Sequence, residues 1–153
     1  MTRPLDDIDR AILASLRSDA RMSINEVARD AAVSRANAYA RIKRMTDDRV
    51  IVGYRVQTDP VSEGFHSSAY VALWVDQTQW QQVRSHLLAM PEVEHIALVG
   101  GEFDVLLLVR ATDNRDLRRI VLERIQSLTG VKTSRTFLIF EDYTPTSSSE
   151  NSP

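Results

Sequence analysis

The feature that most limits how this chain can fold is a turn of three or four residues between two amphipathic segments in its first third. The earlier segment starts at Ser23, where Ser23-Ile24-Asn25-Glu26 has the form of a capping box ahead of Val27, Ala28 and Ala31. Its apolar pattern has to stop near Ala32. Ser34 then offers a fresh N-cap for a helix running to about Thr46, with Ala38, Ile42 and Met45 as its inward stripe. Small Ala31 and Ala32 permit close packing of the pair. A further helix precedes them, because Leu5, Ile8, Ile12 and Leu16 recur at spacings of three and four and Leu13 widens the stripe. Asp6, Asp7 and Asp9 lie near its positive end. Three helices with so short a turn between the second and third predict a helix-turn-helix.

At about 100° per residue, the face of the third helix opposite its stripe presents Ala36, Asn37, Ala40, Lys43 and Arg44, flanked by Arg35 and Arg41 and opened by Ser34. Alanines let a helix sink into the major groove of double-stranded DNA. Asn37 and Arg35, near its N-terminal end, are placed to read base edges, and Arg41, Lys43 and Arg44 to neutralise phosphates. The charge balance agrees locally rather than globally. The chain carries a formal −2, yet residues 29–55 hold seven basic side chains against Asp30, Asp47 and Asp48. Phosphate attraction depends on the charge facing the groove, so a pI near 5.9 does not exclude DNA.

Residues 50–56, Val-Ile-Val-Gly-Tyr-Arg-Val, are branched and aromatic and read as a linker strand. Asp59-Pro60 and Ser62-Glu63-Gly64 break the pattern, which puts a domain boundary between residues 60 and 61. The second domain, 61–143, alternates strand and helix signals: strands over 70–75, 93–99, 103–111 and 131–141, helices over 77–90 and from Asp113 or Asn114 to Gly130. The order βαββαβ is the ferredoxin-like arrangement, and the fold class is α+β. Residues 144–153 are Ser, Thr and Pro without an apolar anchor and are expected to be a disordered tail. In the strand over 103–111 both faces are apolar, and two helices cover only one face of a sheet. A second copy of the chain is the simplest cover for the other.

Composition removes whole classes of function. The 153 residues include no cysteine, so disulfides, thiolate zinc and cysteine nucleophiles are out, and His66, His86 and His95 are scattered rather than spaced for a metal. No metal or cofactor is expected. The longest aliphatic run, 105–109, is far short of the roughly 20 residues a membrane span needs, and no secretory signal opens the chain. The expected location is the cytoplasm.

These pieces resemble the leucine-responsive/asparagine regulator (Lrp/AsnC) family of prokaryotic transcription factors. The resemblance runs from Leu5 to about Tyr143. It is carried by Leu5-Asp6-Asp7-Ile8-Asp9-Arg10-Ala11-Ile12-Leu13, Arg41-Ile42-Lys43-Arg44-Met45, Val52-Gly53-Tyr54, Val99-Gly100-Gly101-Glu102-Phe103-Asp104, and Gly130-Val131 leading to Arg135-Thr136. It implies a winged helix-turn-helix, a ferredoxin-like regulatory domain, sheet-mediated dimers that assemble to tetramers or octamers, and an amino-acid effector bound against the glycine hairpin. Carried over by position, the effector residues are Gly100, Gly101, Glu102, Phe103 and Asp104, with Ser134 and Thr136 adding hydroxyls. Exposed glycine N–H groups suit a carboxylate, and Asp104 suits an α-ammonium. Glu102 and Val105 depart from the family's usual Asp and Tyr. The competing reading is an enzyme, since haem-precursor (sirohaem) decarboxylases look like this family. Such a site would need histidines or arginines lining a cavity in the second half.

Overall fold

Asp6 starts the first helix, α1 (Asp7–Ser18), through a reciprocal cap. Its carboxylate accepts from the Asp9 N–H at 2.9 Å, and the Asp9 carboxylate accepts from the Asp6 N–H at 3.2 Å. Ser23 and Glu26 cap α2 (Ile24–Asp30) in the same way, and the Ser34 hydroxyl accepts from the Asn37 N–H to open α3 (Arg35–Asp47). The turn between α2 and α3 closes by placing Ala32 in the left-handed region, at φ 52°, while the Val33 N–H donates to the Ala28 carbonyl at 2.9 Å. Ile12, Val27, Ala31 and Met45 form the buried centre of this bundle, with Ile8, Leu16 and Ile42 packed around them.

The computed structural model describes residues 4–143. They divide into two units, with the break between Gln57 and Thr58. The tail expected over 144–153 lies outside the described residues. One expectation fails in the first unit: residues 50–56 form no strand. The Val50 and Ile51 N–H groups both donate to the Met45 carbonyl, at 2.8 and 2.9 Å, so the segment begins by wrapping the end of α3. Val52 and Val56 then stand 84% and 87% exposed. Branched residues favour a pleated ladder only where another strand is available to pair, and none of the described strands pairs here. The wing implied by the resemblance therefore has no paired strand among the described residues.

The second unit is a four-stranded antiparallel sheet in the order β2-β3-β1-β4, built from β1 (Ser67–Val75), β2 (Val93–Leu98), β3 (Val105–Ala111) and β4 (Val131–Leu138). A 3₁₀ turn, Gln77–Gln79, leads into α4 (Trp80–Leu88). The second helix, α5 (Asn114–Arg119), is capped by Asp113 and continues as a π-helical turn through Ile120–Ile125. With these crossovers the chain order is βαββαβ, as expected. Strand alternation sends Val71, Leu73, Val105, Leu107 and Val109 toward the helices, where they bury with Val83, Leu87, Leu117, Ile120 and Ile125. Gly130 closes the second crossover at φ +100°, and its carbonyl accepts from the Asp76 N–H at 2.7 Å.

Candidate functional site

The exposed side of α3 carries most of the residues expected to meet DNA. Ser34, Arg35, Ala36, Asn37, Ala40 and Lys43 are all exposed, while Ala38 and Met45 are buried. A cleft of about 460 Å³, lined by Ile24, Arg35, Ala36 and Tyr39, opens where the starts of α2 and α3 meet. Tyr39 is 60% exposed and belongs to this surface. Sequence reasoning passed over it, although its position falls outside the Ala38, Ile42 and Met45 stripe and so already pointed outward. Lys43 pairs with Asp47 at 2.6 Å one turn on, and this bond raises its pKa.

Arg41 and Arg44, expected at phosphates, are the exceptions in being only partly exposed. Both turn back onto α1. Arg41 Nη1 donates to Asp6 and to Asp9 Oδ1, and Arg44 Nη2 reaches Asp9 Oδ2 at 2.6 Å. The cause is Asp9, whose side chain is fully buried; an ionised carboxylate out of water must be paired. Burial alone would raise the Asp9 pKa. The hydrogen bonds from Arg41 and Arg44 outweigh it and hold the carboxyl below its ordinary value. Arg41 is shifted up in turn, first by Asp6 and then by Asp9.

At the hairpin between β2 and β3, Gly100, Gly101 and Glu102 are exposed, and Gly101 sits at φ +143°. Phe103 meets Trp74 edge to face, with ring centres 6.0 Å apart, and the Arg135 guanidinium lies 5.6 Å from the Trp74 ring centre. Arg135 also reaches Glu102 at 3.5 Å. Opposite charges thus flank an aromatic surface. Trp74 and Arg135 were not among the effector residues expected from the sequence, because their approach depends on strand register.

Asp104 is likewise engaged within the fold. Its Oδ2 accepts from the Val75 N–H at 2.8 Å and its Oδ1 from the Gln77 side-chain amide at 3.0 Å. The carboxylate therefore ties the hairpin to the end of β1. Ser134 and Thr136 do not join the hairpin either. They pair across from Leu73 and Val71, whose side chains face the helices, whereas Arg135 faces the opposite side with Trp74. The Ser134 hydroxyl accepts from Gln126 at 2.6 Å. Thr136 lines a separate cleft of about 390 Å³ with Asn114, Leu117, Arg118, Val121, Leu122 and Leu138.

His66, His86 and His95 are exposed, lie on three different segments and line neither cleft. Among the described residues no helix is long and apolar enough to cross a membrane.

Comparison with known proteins agrees with this architecture. Residues 5–46 match the AsnC-type helix-turn-helix domain, and residues 68–149 match the Lrp/AsnC ligand binding domain. An HTH-type transcriptional regulator of Pyrococcus horikoshii is 32% identical over 135 residues, which is 88% of this chain and 85% of that one. The solved leucine response regulatory protein of Mycobacterium tuberculosis is 31% identical, with a TM-score of 0.81 over 92% of this chain and 96% of its own. A transcriptional regulator of Neisseria meningitidis, solved as a complex with L-methionine, has a TM-score of 0.86 over 94% of this chain and 95% of its own, and at 23% identity it shares the fold. None of these names is that of a decarboxylase. With both halves of the chain matched in order, it belongs to the Lrp/AsnC family of helix-turn-helix transcriptional regulators.

Proposed function

We propose that this regulator reads double-stranded DNA with the exposed face of α3 and that an amino acid controls it through the second domain, residues 61–143. The observation carrying the DNA reading is the character of that face: Ser34, Arg35, Ala36, Asn37, Ala40 and Lys43 are small, polar or basic and all exposed on a helix whose other side is core. Tyr39 adds an aromatic wall beside Arg35. The amino-acid reading is supported by the family's ligand binding domain and by the Neisseria relative's complex with L-methionine. On this reading the ligand sits against Gly100 to Phe103. Arg135 takes its carboxylate, Glu102 its ammonium, and Trp74 and Phe103 its side chain.

The unit that binds DNA is a homodimer joined through the sheet face without helices, and dimers associate further to tetramers or octamers. Tyr70 and Phe137 stand 41% and 46% exposed on that face, beside Leu106 and Leu108, an apolar patch that a second copy would cover. The protein works in the cytoplasm as a regulator without catalysis of its own.

The test is fluorescence anisotropy of the full chain with duplex DNA, with each of the common amino acids added in turn and light scattering run in parallel. Binding to duplex that weakens with salt, and at least one amino acid that changes affinity or assembly, are expected. Salt-insensitive binding would overturn the DNA reading. If no amino acid altered either readout, the effector reading would fall.

A further inference from the structure

Arg41 makes two kinds of contact from one side chain. Its Nη1 group donates to the two oxygens of Asp6, at 2.8 and 2.7 Å, and to Asp9 at 2.8 Å, while its Nε–H donates to Oδ1 of Asn37 at 2.7 Å. A guanidinium has donors and no acceptor. The Asn37 amide can therefore meet it only through its oxygen, which turns the Nδ2 group the other way. Asn37 is exposed in the first turn of α3, and among the described residues its Nδ2 has no protein partner.

We propose that Asp6, Asp9 and Arg41 are positioning residues that fix the Asn37 amide, so that α3 presents a hydrogen-bond donor to the major groove and selects guanine at that position. The inference rests on α3 being the DNA-reading helix. Guanine offers two neighbouring acceptors, N7 and O6, to a donor group. Adenine offers one acceptor and one donor, and the carbonyl that would have to meet its donor is turned toward Arg41 instead of the groove. The anchor is firm because Asp9 is fully buried and the Arg41 side chain is only 18% exposed. The amide is thus oriented on folding rather than on binding, which spares the ordering cost at the moment of recognition.

The experiment selects binding sites from a randomised duplex library with the full chain and then titrates the recovered site and a random duplex. The position read by Asn37 is the one whose preference Asn37→Ala erases, and the parent should prefer guanine there by about tenfold. Arg41→Lys keeps a cation opposite Asp6 and Asp9 but has no Nε–H. Its preference should fall to within about twofold, with affinity for the random duplex unchanged. Asn37→Asp still accepts from Arg41 but shows the groove an acceptor, so it should move the selection to cytosine, whose N4 is a donor. Should Arg41→Lys fail to fold, Asn37→Asp decides alone, since its side chain is exposed. The proposal is overturned if the parent selects another base there, if Asn37→Ala erases no preference, or if Asn37→Asp still selects guanine. Ala40→Glu, in the middle of the exposed face, separates the two readings. Undiminished duplex binding by that variant would remove α3 from the interface altogether, whereas lost binding with unmoved relay variants would sink the relay alone.

Discussion

Replacing Asp9 by alanine should cost the helix-turn-helix much of its stability. The side chain is fully buried and accepts from Arg41 at 2.8 Å, Arg44 at 2.6 Å and the Asp6 N–H at 3.2 Å. Removing one partner of a buried ion pair costs about 3–5 kcal/mol, because the remaining charge loses its compensation. Here Arg41 keeps Asp6, and the two arginine side chains are 18% and 27% exposed, so both can turn partly to water. The lower end of the range, about 3 kcal/mol, is the expected loss. A unit of this length is stable by only about 3–8 kcal/mol, so the effect is large. Urea denaturation of the full chain followed by far-ultraviolet circular dichroism would read it, since most of the α-helix lies in α1 to α3. Asp7→Ala is the control: Asp7 makes an exposed pair with Arg10 at 3.1 Å and should leave the transition where it is. The Asp9 carboxyl is held below its ordinary value of 3.8 in the fold, so its stabilisation is present above that pH and lost as the pH falls through the lowered folded value. Parent and variant should therefore converge in acid. A loss under about 1 kcal/mol at neutral pH, or a gap that does not narrow in acid, would refute the reasoning.

Two further outcomes follow from particular contacts. Lys43→Ala should weaken binding to every duplex sequence alike and lower the slope of log affinity against log salt by about one, as anisotropy titrations at several salt concentrations would record. Gly130→Ala should destabilise the second domain by about 1–3 kcal/mol in urea titrations, because a Cβ there would stand 2.8 Å from the Gln79 Cβ on a backbone at φ +100°.

What the sequence revealed of the fold follows from how local each determinant is. Capping is local, and Ser23 and Ser34 mark the starts of α2 and α3 where the structure has them. Alternation is local too, so β3 was legible as Val105, Leu107 and Val109 against Leu106 and Leu108. Pairing is not. Ser67 and Ser68 lengthen β1 only because Ala111 and Arg110 stand across from them, and residues 50–56 stay out of any ladder despite their branched side chains. The π-helical turn at Ile120–Ile125 was also hidden, since its apolar residues read as an ordinary helical stripe and the change lies in the backbone register.

The candidate site shows the same division with a sharper consequence. A helical wheel places Cβ atoms, and it served for Ala36, Asn37, Ala40 and Lys43. It misled for Arg41 and Arg44, whose long stems carry their charge to carboxylates more than thirty residues away on α1. Asp104 shows the same non-locality: within the hairpin it suits an α-ammonium, yet its partners, the Val75 N–H and Gln77, lie almost thirty residues earlier. Both sets of contacts put charge into holding elements in place. On α3 this leaves Arg35 and Lys43 as the cations of the exposed face. Two cations on one copy of α3 give a small phosphate footprint, and the proposed dimer would double it, so the assembly that covers the sheet would also strengthen the salt-dependent part of DNA binding.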